Sequence, residues 1–364
     1  MKDKRVAFFL SSLDGGGVER MTLNLSQELS DRGYDVDLIV CNLKGDYVKE
    51  IPSSLNVYNL KVNKGIFSIF KLVKYLRSRK PEVFISAKDY LNIIAIISKM
   101  LSGIKTNLIV STRVNISTQL NHGFTWKLKV ISLLTKYFYP YANKVVAVSE
   151  GVKADLIKLT GLNSKDIKVI YNPVITKGLE EKLEEEVYHP WFDSTNIPVI
   201  VTVARLHPQK DLQTLLKAMA IIKKTKDARL IVVGDGPERN QLELFIRELK
   251  LENNVDLVGF KANPYPYLKQ SSLFVLSSLY EGFGNVLVEA LFAGIPIVST
   301  DCPSGPSEIL NNGEFGTLVP IGNADELARA MIKQLERENN MESLQSRACE
   351  FTVQRALEKY MSLF

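Results

Sequence analysis

The sequence predicts an α/β protein built from two doubly wound parallel sheets that face a central cleft. A length of 364 residues suits two domains of ordinary size. Short β-branched runs alternate with helix-length segments along nearly the whole chain, which is the pattern of repeated strand–helix units. The stretch 173–198 interrupts that alternation with acidic residues and prolines, and this break separates the two predicted domains.

The predicted strands form two groups of five, each apolar at nearly every position, as expected for strands buried on both faces. In order along the chain they are 6–10, 36–41, 83–87, 108–112 and 144–148, then 199–203, 230–234, 255–258, 273–276 and 295–300. We place the first domain at 1–178, a linker at 179–197 and the second domain at 198–345. A helix at 346–364 can pack back on the first domain.

Charge is distributed unevenly between the two halves. Residues 1–180 carry 27 Lys and Arg against 15 Asp and Glu, a net of +12, whereas the remainder has a net of −6. A basic half indicates an anionic partner, either nucleic acid or an anionic membrane leaflet. Three dispersed cysteines and the absence of an export signal or a long apolar segment predict a cytoplasmic location.

Two basic amphipathic segments favour the membrane over nucleic acid. Residues 61–80 interleave seven cations with Ile, Phe, Leu and Tyr, and residues 126–141 repeat this pattern around a Tyr-Phe-Tyr run. Such helices suit the headgroup region of anionic lipid. The alternative of two ordinary surface helices with core-facing stripes stays open for each segment alone. The charge of the whole half favours a peripheral position on the inner face of the cytoplasmic membrane, and we expect no nucleic-acid partner.

The most informative motif is the turn Glu281-Gly-Phe-Gly284, followed eight residues after Glu281 by Glu289. The turn opens an apolar helix that Gly294 ends as a C-cap. The free N–H groups of a helix N-terminus attract phosphate, while carboxylates accept hydrogen bonds from hydroxyls. The combination fits a nucleotide sugar.

Two further motifs follow predicted strands. Asp14-Gly15-Gly16-Gly17 precedes a helix, so its backbone can approach a phosphate closely, although a plain turn is the alternative. Arg205 and Lys210 follow the first strand of the second domain, where Arg can grip a phosphate with two bonds and Lys acts as a point charge. Asp35 and Asp37 lie in a buried strand and indicate no metal site, so we predict no required metal or other cofactor.

Together these motifs closely resemble the retaining glycosyltransferases of family 4, whose GT-B fold has two Rossmann-like domains. The resemblance rests on the glycine loop, the run Ala147-Val-Ser-Glu-Gly-Val152, Arg205 with Lys210, Gly234-Asp-Gly236, and Glu281 with Glu289. It extends over essentially the whole chain.

The resemblance assigns the donor site by position. It implies that Arg205 and Lys210 stabilise the departing diphosphate, that Glu281 lies by the donor sugar and that Glu289 binds the ribose. The remaining donor-binding positions that it implies are Gly15, Gly16, Gly17, Phe260, Lys261, Phe283, Gly284, Asn285 and Val286.

One position departs from the family pattern. Many members have a His after the fourth or fifth strand, where this chain has Arg113, which can hold a hydroxyl or stabilise charge but cannot act as a base. With the 302–308 segment, this Arg resembles the subgroup that builds bacterial lipid-linked or surface glycans. The resemblance implies a retaining hexosyltransferase that moves a hexose or HexNAc from a UDP-sugar to a lipid-linked or oligosaccharide acceptor. A UDP-sugar epimerase and an inactive nucleotide-binding scaffold are the alternatives.

Overall fold

A computed structural model describes residues 4–14, 16–63, 65–122, 125–193, 197–337 and 340–364. The chain forms two compact units, each of which contains one parallel sheet. The first unit comprises Met1–Val174 together with Phe351–Phe364, and the second comprises Ile175–Glu350.

The first sheet has seven parallel strands in the order β3-β2-β1-β4-β5-β6-β7. They are β1 (Arg5–Leu10), β2 (Asp35–Val40), β3 (Asn56–Asn59), β4 (Val83–Ala87), β5 (Asn107–Thr112), β6 (Lys144–Ala147) and β7 (Ile167–Val169). All five strands predicted for this half are confirmed. The sheet order reverses between β1 and β4, so a crevice is expected at the carboxyl ends of these two strands.

The second sheet has six parallel strands in the order β10-β9-β8-β11-β12-β13. They are β8 (Val199–Val203), β9 (Arg229–Val233), β10 (Val255–Gly259), β11 (Leu273–Leu276), β12 (Ile297–Thr300) and β13 (Thr317–Val319). The order reverses between β8 and β11. The five predicted strands are again confirmed, and two such doubly wound sheets confirm the predicted Rossmann-like class.

Helices connect the strands in both units. The first unit contains α1 (Gly17–Asp31), α2 (Ser68–Arg79), α3 (Asp89–Ser102), α4 (Ile116–His122), α5 (Trp126–Phe138) and α6 (Glu150–Thr160). The second contains α7 (Leu179–Leu183), α8 (Leu212–Ile222), α9 (Arg239–Glu248), α10 (Tyr265–Gln270), α11 (Asn285–Ala293), α12 (Pro306–Ile309), α13 (Ala324–Leu335) and α14 (Met341–Ala348). The last helix, α15 (Val353–Met361), returns to the first unit.

The segment expected as a linker is instead part of the second unit. Leu179 and Leu183 of α7 are buried, and α7 packs against α10. Farther along, the ring of His189 is buried and lies 3.1 Å from a carboxylate oxygen of Asp256. This segment is acidic in composition, so the sequence does not reveal the few apolar side chains that attach it to the second unit.

The C-terminal helix packs on the first unit. α15 contacts α1, and its Leu357 and Tyr360 are buried in the core that contains β1 and β2. Beyond it, Asn107 donates a hydrogen bond of 2.6 Å to the carbonyl oxygen of Leu363. The chain crosses back at 350/351, so residues 346–350, assigned above to the C-terminal helix segment, belong to the second unit.

The Asp-Val-Asp sequence of β2 serves an internal ion network. Asp37 is fully buried, accepts a hydrogen bond from Tyr75 and lies 3.4 Å from Nε of Arg79. Arg5 also pairs with Asp35. Because two arginines neutralise these carboxylates, the geometry favours the structural interpretation of this motif.

A buried polar cluster fastens α3 to the sheet. Tyr139 is fully buried, and its hydroxyl donates to a carboxylate oxygen of Asp89 at 2.9 Å. Asn92 donates to the same hydroxyl, also at 2.9 Å. Asp89 keeps some exposed surface, but its carboxyl group is packed among buried residues, and this burial raises its pKa to about 6.

The raised pKa of Asp89 predicts a pH-dependent stability. The folded protein holds this proton more tightly than the unfolded chain, so the contribution of Asp89 to stability falls as pH rises from about 4 to about 6. Asp89→Asn keeps a side-chain oxygen that can accept the hydrogen bond from the Tyr139 hydroxyl. We expect it to raise the free energy of unfolding at pH 7 by up to about 3 kcal/mol. Urea titrations at pH 4, 5, 6 and 7 measure the difference, and a constant difference between variant and wild type over this range contradicts the assignment.

Candidate functional site

Four loops of the second unit gather at the carboxyl ends of its strands. They follow β8, β9, β11 and β12, the four strands at and beside the point where the sheet order reverses. Such a reversal leaves a crevice above the sheet because neighbouring connections run to opposite faces. The loops after β8 and β11 border that crevice and carry the predicted catalytic residues.

A buried ion pair connects these two loops. Nζ of Lys210 lies 2.5 Å from Oε1 of Glu281, and the hydroxyl of Ser278 donates to the same oxygen at 2.7 Å. Glu281 is 7% exposed, whereas the side chain of Lys210 is 19% exposed. A carboxylate this buried needs a cation and hydrogen bonds to remain ionised. The pair therefore holds the ammonium group of Lys210 at the crevice.

Hydrogen bonds to backbone carbonyl groups also join these two loops. The N–H of Leu279 donates to the carbonyl of Gln209 at 2.8 Å, and the Gln209 side chain donates to the carbonyl of Tyr280 at 2.8 Å. Ser277 donates to the carbonyl of Lys210 at 2.7 Å. These bonds fix the geometry of the ion pair on both of its sides.

Glycine permits two of the close approaches between loops. Gly305 has a φ of +104°, and a Cβ built on it would lie 1.8 Å from the carbonyl oxygen of Phe283. Gly234 has a φ of +139°, and its Cβ would lie 2.0 Å from the carbonyl oxygen of Ala204. Both distances are far below van der Waals contact, so no other residue fits at either position without movement of the backbone.

Helix α11 begins four residues after Glu281, so its N-terminus is close to the ion pair in the sequence. Gly284 is the N-cap, with a φ of +99°, and Asn285 and Val286 form the first turn. Glu289 lies one turn further, half-buried, and its carboxylate accepts a hydrogen bond of 3.5 Å from the Tyr265 hydroxyl. Gly294 ends the helix in the left-handed conformation, which confirms the predicted cap.

Of the other predicted donor residues of the second unit, Phe283 is buried at 2% exposure, whereas three lie at the surface. Arg205 is exposed two residues beyond the end of β8, in the same loop as Lys210. Phe260 and Lys261 follow the edge strand β10, and the Phe260 side chain is 72% exposed. An aromatic ring exposed to this degree is available for stacking on a ligand.

The remaining predicted residues belong to the first unit. Gly15 lies outside the described residues, while Gly16 and Gly17 open α1 after β1. Arg113, at the end of β5, donates to Asn172 at 2.5 Å and to the Tyr360 hydroxyl at 3.2 Å. These contacts fasten α15 to the end of β5, and the catalytic role expected for Arg113 from the sequence stays a prediction.

Sequence reasoning missed the polar residues that support Glu281. Ser278 bonds its carboxylate, and the Thr300 hydroxyl donates to the carbonyl of Ser278 at 2.6 Å. Cys302 lies nearby, and burial raises the pKa of its thiol to about 12, so the thiol is protonated at neutral pH. Only the position of these residues at strand ends distinguishes them from ordinary small polar residues.

Comparison with known proteins identifies the class. The family model Glycosyltransferase Family 4 matches residues 15–178, and Glycosyl transferases group 1 matches residues 190–351. The two matches follow one another and correspond to the two sheets. The chain belongs to the GT-B glycosyltransferases formed by these two family domains, and it is a transferase.

Relatives and solved structures extend over nearly the whole chain. A Campylobacter jejuni enzyme, N-acetylgalactosamine-N,N'-diacetylbacillosaminyl-diphospho-undecaprenol 4-alpha-N-acetylgalactosaminyltransferase, is 29% identical over 359 residues, which are 95% of this chain and 94% of the relative. The Erwinia amylovora amylovoran biosynthesis glycosyltransferase AmsD is 28% identical over 88% of this chain and 87% of its own length. Anabaena HepE, solved with UDP and glucose, superimposes with a TM-score of 0.79 at 22% identity and covers 98% of both chains.

The contact at Gly305 yields a paired prediction. Gly305→Ala adds a Cβ that collides with the backbone of Phe283, whereas Gly313, with a φ of +99°, has nothing within 4 Å of the same position. We expect Gly313→Ala to lose about 1–2 kcal/mol of unfolding free energy through strain alone, and Gly305→Ala to lose clearly more. Urea denaturation of both variants measures the difference. Equal losses would show that the loops after β11 and β12 do not pack as described.

Proposed function

We propose that this glycosyltransferase moves a hexose or HexNAc from a UDP-sugar to a hydroxyl of a lipid-linked or surface-polysaccharide saccharide, with retention of anomeric configuration. The observation that carries the proposal is the buried pair of Lys210 and Glu281 at the reversal of the second sheet. It presents a fixed cation and a carboxylate at the place where doubly wound sheets bind nucleotides.

The main contribution to catalysis is electrostatic. Lys210 and Arg205, on one loop, stabilise the charge that develops on the departing diphosphate, and the N-terminus of α11 adds its backbone N–H groups. Glu289 is placed to accept hydrogen bonds from the ribose. The Cys302 thiol is protonated at neutral pH and therefore does not act as a nucleophile. The proton of the acceptor hydroxyl passes to the leaving phosphate.

The comparisons support the choice of donor and acceptor. HepE is solved in complex with UDP and glucose, which favours a UDP-sugar donor. The name of the Campylobacter relative gives an N-acetylgalactosaminyl group and a diphospho-undecaprenol acceptor, which favours a HexNAc and a lipid-linked saccharide. We propose that the transfer needs no metal, because Lys210 and Arg205 supply the positive charge that a metal ion would otherwise provide.

A lipid-linked acceptor requires access to a membrane surface, and α5 offers an unusual face for it. Its fully buried positions are small and polar, Ser132 and Thr135, whereas four of its large apolar residues are exposed. The outward residues recur at helical spacing and form one stripe: Trp126, Val130, Leu133 and Tyr137 are 69%, 41%, 54% and 62% exposed. An apolar stripe that the fold leaves exposed indicates a binding surface.

The neighbouring helices extend this face. α2 packs on α3, α3 packs on α5, and α2 carries the exposed Phe70 while the preceding turn carries Phe67. Exposed lysines accompany the apolar residues: Lys71, Lys74, Lys127, Lys129 and Lys136. We assign this face to an anionic membrane surface, where lysines attract headgroups and aromatic rings enter the interface. Among the described residues, no helix is long and apolar enough to cross the bilayer.

Transfer assays test the catalytic assignment. We expect Lys210→Ala and Glu281→Ala to lower kcat/KM for transfer at least about 100-fold. Lys210→Ala removes the cation at the leaving group, and Glu281→Ala removes the carboxylate that holds this cation in place. Lys226→Ala is the matched control, since Lys226 pairs with Glu336 at 3.1 Å on the surface of the same unit. The product anomer is read by NMR with EDTA present. Near-normal turnover in either site variant contradicts the assignment, and conversion of a UDP-sugar without acceptor indicates an epimerase.

Vesicle binding tests the membrane face. We expect Leu133→Ser/Tyr137→Ser to weaken co-sedimentation with anionic vesicles several-fold while the melting temperature stays within a few degrees, because both side chains are exposed. Leu244→Ser, on an exposed position of α9 that is 64% accessible, is the control. Equal loss in the control, or equal binding of the wild type to neutral vesicles, contradicts the electrostatic surface.

A further inference from the structure

The first unit contains a second ion pair at a reversal of strand order. Lys88 follows β4, Glu19 lies in the first turn of α1 after β1, and Nζ of Lys88 contacts Oε1 of Glu19. β1 and β4 are the neighbours between which the order of the first sheet reverses. The pair therefore spans the crevice of the first unit.

The two ion pairs have the same construction. In each pair, a buried glutamate contacts a lysine from the loop on the other side of the reversal. The side chains of Glu19 and Lys88 are 4% and 30% exposed. Those of Glu281 and Lys210 are 8% and 19% exposed. The pairing thus lies at the ligand-binding edge of each sheet and not at an arbitrary surface position.

Glu19 also supports the glycine loop. A Cβ built on Gly16 would lie 2.5 Å from Oε2 of Glu19, so the carboxylate is packed directly against the backbone at Gly16. Lys88 contacts the other oxygen of this carboxylate. A line of contacts thus runs from Lys88 through Glu19 to the loop that opens α1.

Lys88 holds this position at a conformational cost. Its φ of 97° and ψ of 128° lie in a region that side chains other than glycine rarely adopt. Such strain persists where the surrounding structure or the function needs the side chain. A glycine would fit this backbone without strain but would leave Glu19 without its cation.

We propose that Lys88 and Glu19 are a positioning pair that holds Gly16 and Gly17, at the start of α1, in the conformation needed for sugar transfer. The inference rests on the proposed function together with the donor-binding role that the family resemblance implies for Gly16 and Gly17. It assigns Lys88 no contact with the reacting atoms; the residue acts through Glu19.

The double variant Lys88→Gly/Glu19→Gln tests the proposal. It relieves the strain at residue 88 and leaves no unpaired buried carboxylate, so we expect a melting temperature at or above that of the wild type. We expect kcat/KM for transfer to fall about tenfold or more, because the loop is no longer held. Amide hydrogen exchange of the peptide that contains residues 16–20 should accelerate about tenfold.

Glu28→Gln is the control on the same helix, because Glu28 pairs with Arg32 at the other end of α1 at 3.7 Å. It should leave exchange at residues 16–20 and kcat/KM unchanged. Unchanged activity or unchanged exchange in the double variant overturns the proposal, and a lowered melting temperature with unchanged exchange would show a purely structural pair. If the wild type transfers no sugar from any UDP-sugar, the proposed function fails, while the exchange measurement still decides whether the pair holds the loop.

Discussion

The ion pair of Lys210 and Glu281 is the interaction on which the site of the second unit depends. It joins loops from two strands that diverge at the reversal of the sheet, and Lys210 offsets the cost of burying the Glu281 carboxylate. The Gln209 carbonyl and side-chain amide bond the opposite loop, while Ser278 donates to the Glu281 carboxylate within its own loop. A fixed cation at the crevice follows from this packing, and we propose that this cation stabilises the departing diphosphate.

The same physical solution occurs in both units. A parallel sheet whose order reverses leaves a crevice between the diverging loops, and a lysine–glutamate pair joins these loops in each case. Glycines then let the loops approach one another, as Gly305 does at Phe283. The exposed apolar stripe of α5 is a separate feature of the first unit, since the fully buried positions of this helix are small and polar while four large apolar residues are exposed.

The sequence predicted ten strands because central strands of parallel sheets are continuous β-branched runs. It missed β3, β7 and β13, which have three or four residues, lie at sheet edges and are only partly buried. It named Lys210 and Glu281 but could not show their contact, because 71 residues separate them in the chain. Arg113 was assigned by position alone, and only the structure reveals that Asn172 and Tyr360 engage its guanidinium group.

Calorimetric titration of UDP into the wild type and Lys210→Met, with EDTA in the buffer, tests the central claim most directly. We expect UDP to bind the wild type without a metal ion and to bind the variant at least about tenfold more weakly, because the variant loses a charge-assisted bond to the diphosphate. Equal affinity for both proteins, or binding that appears only when a divalent cation is added, would contradict the claim that the buried ion pair forms the diphosphate site.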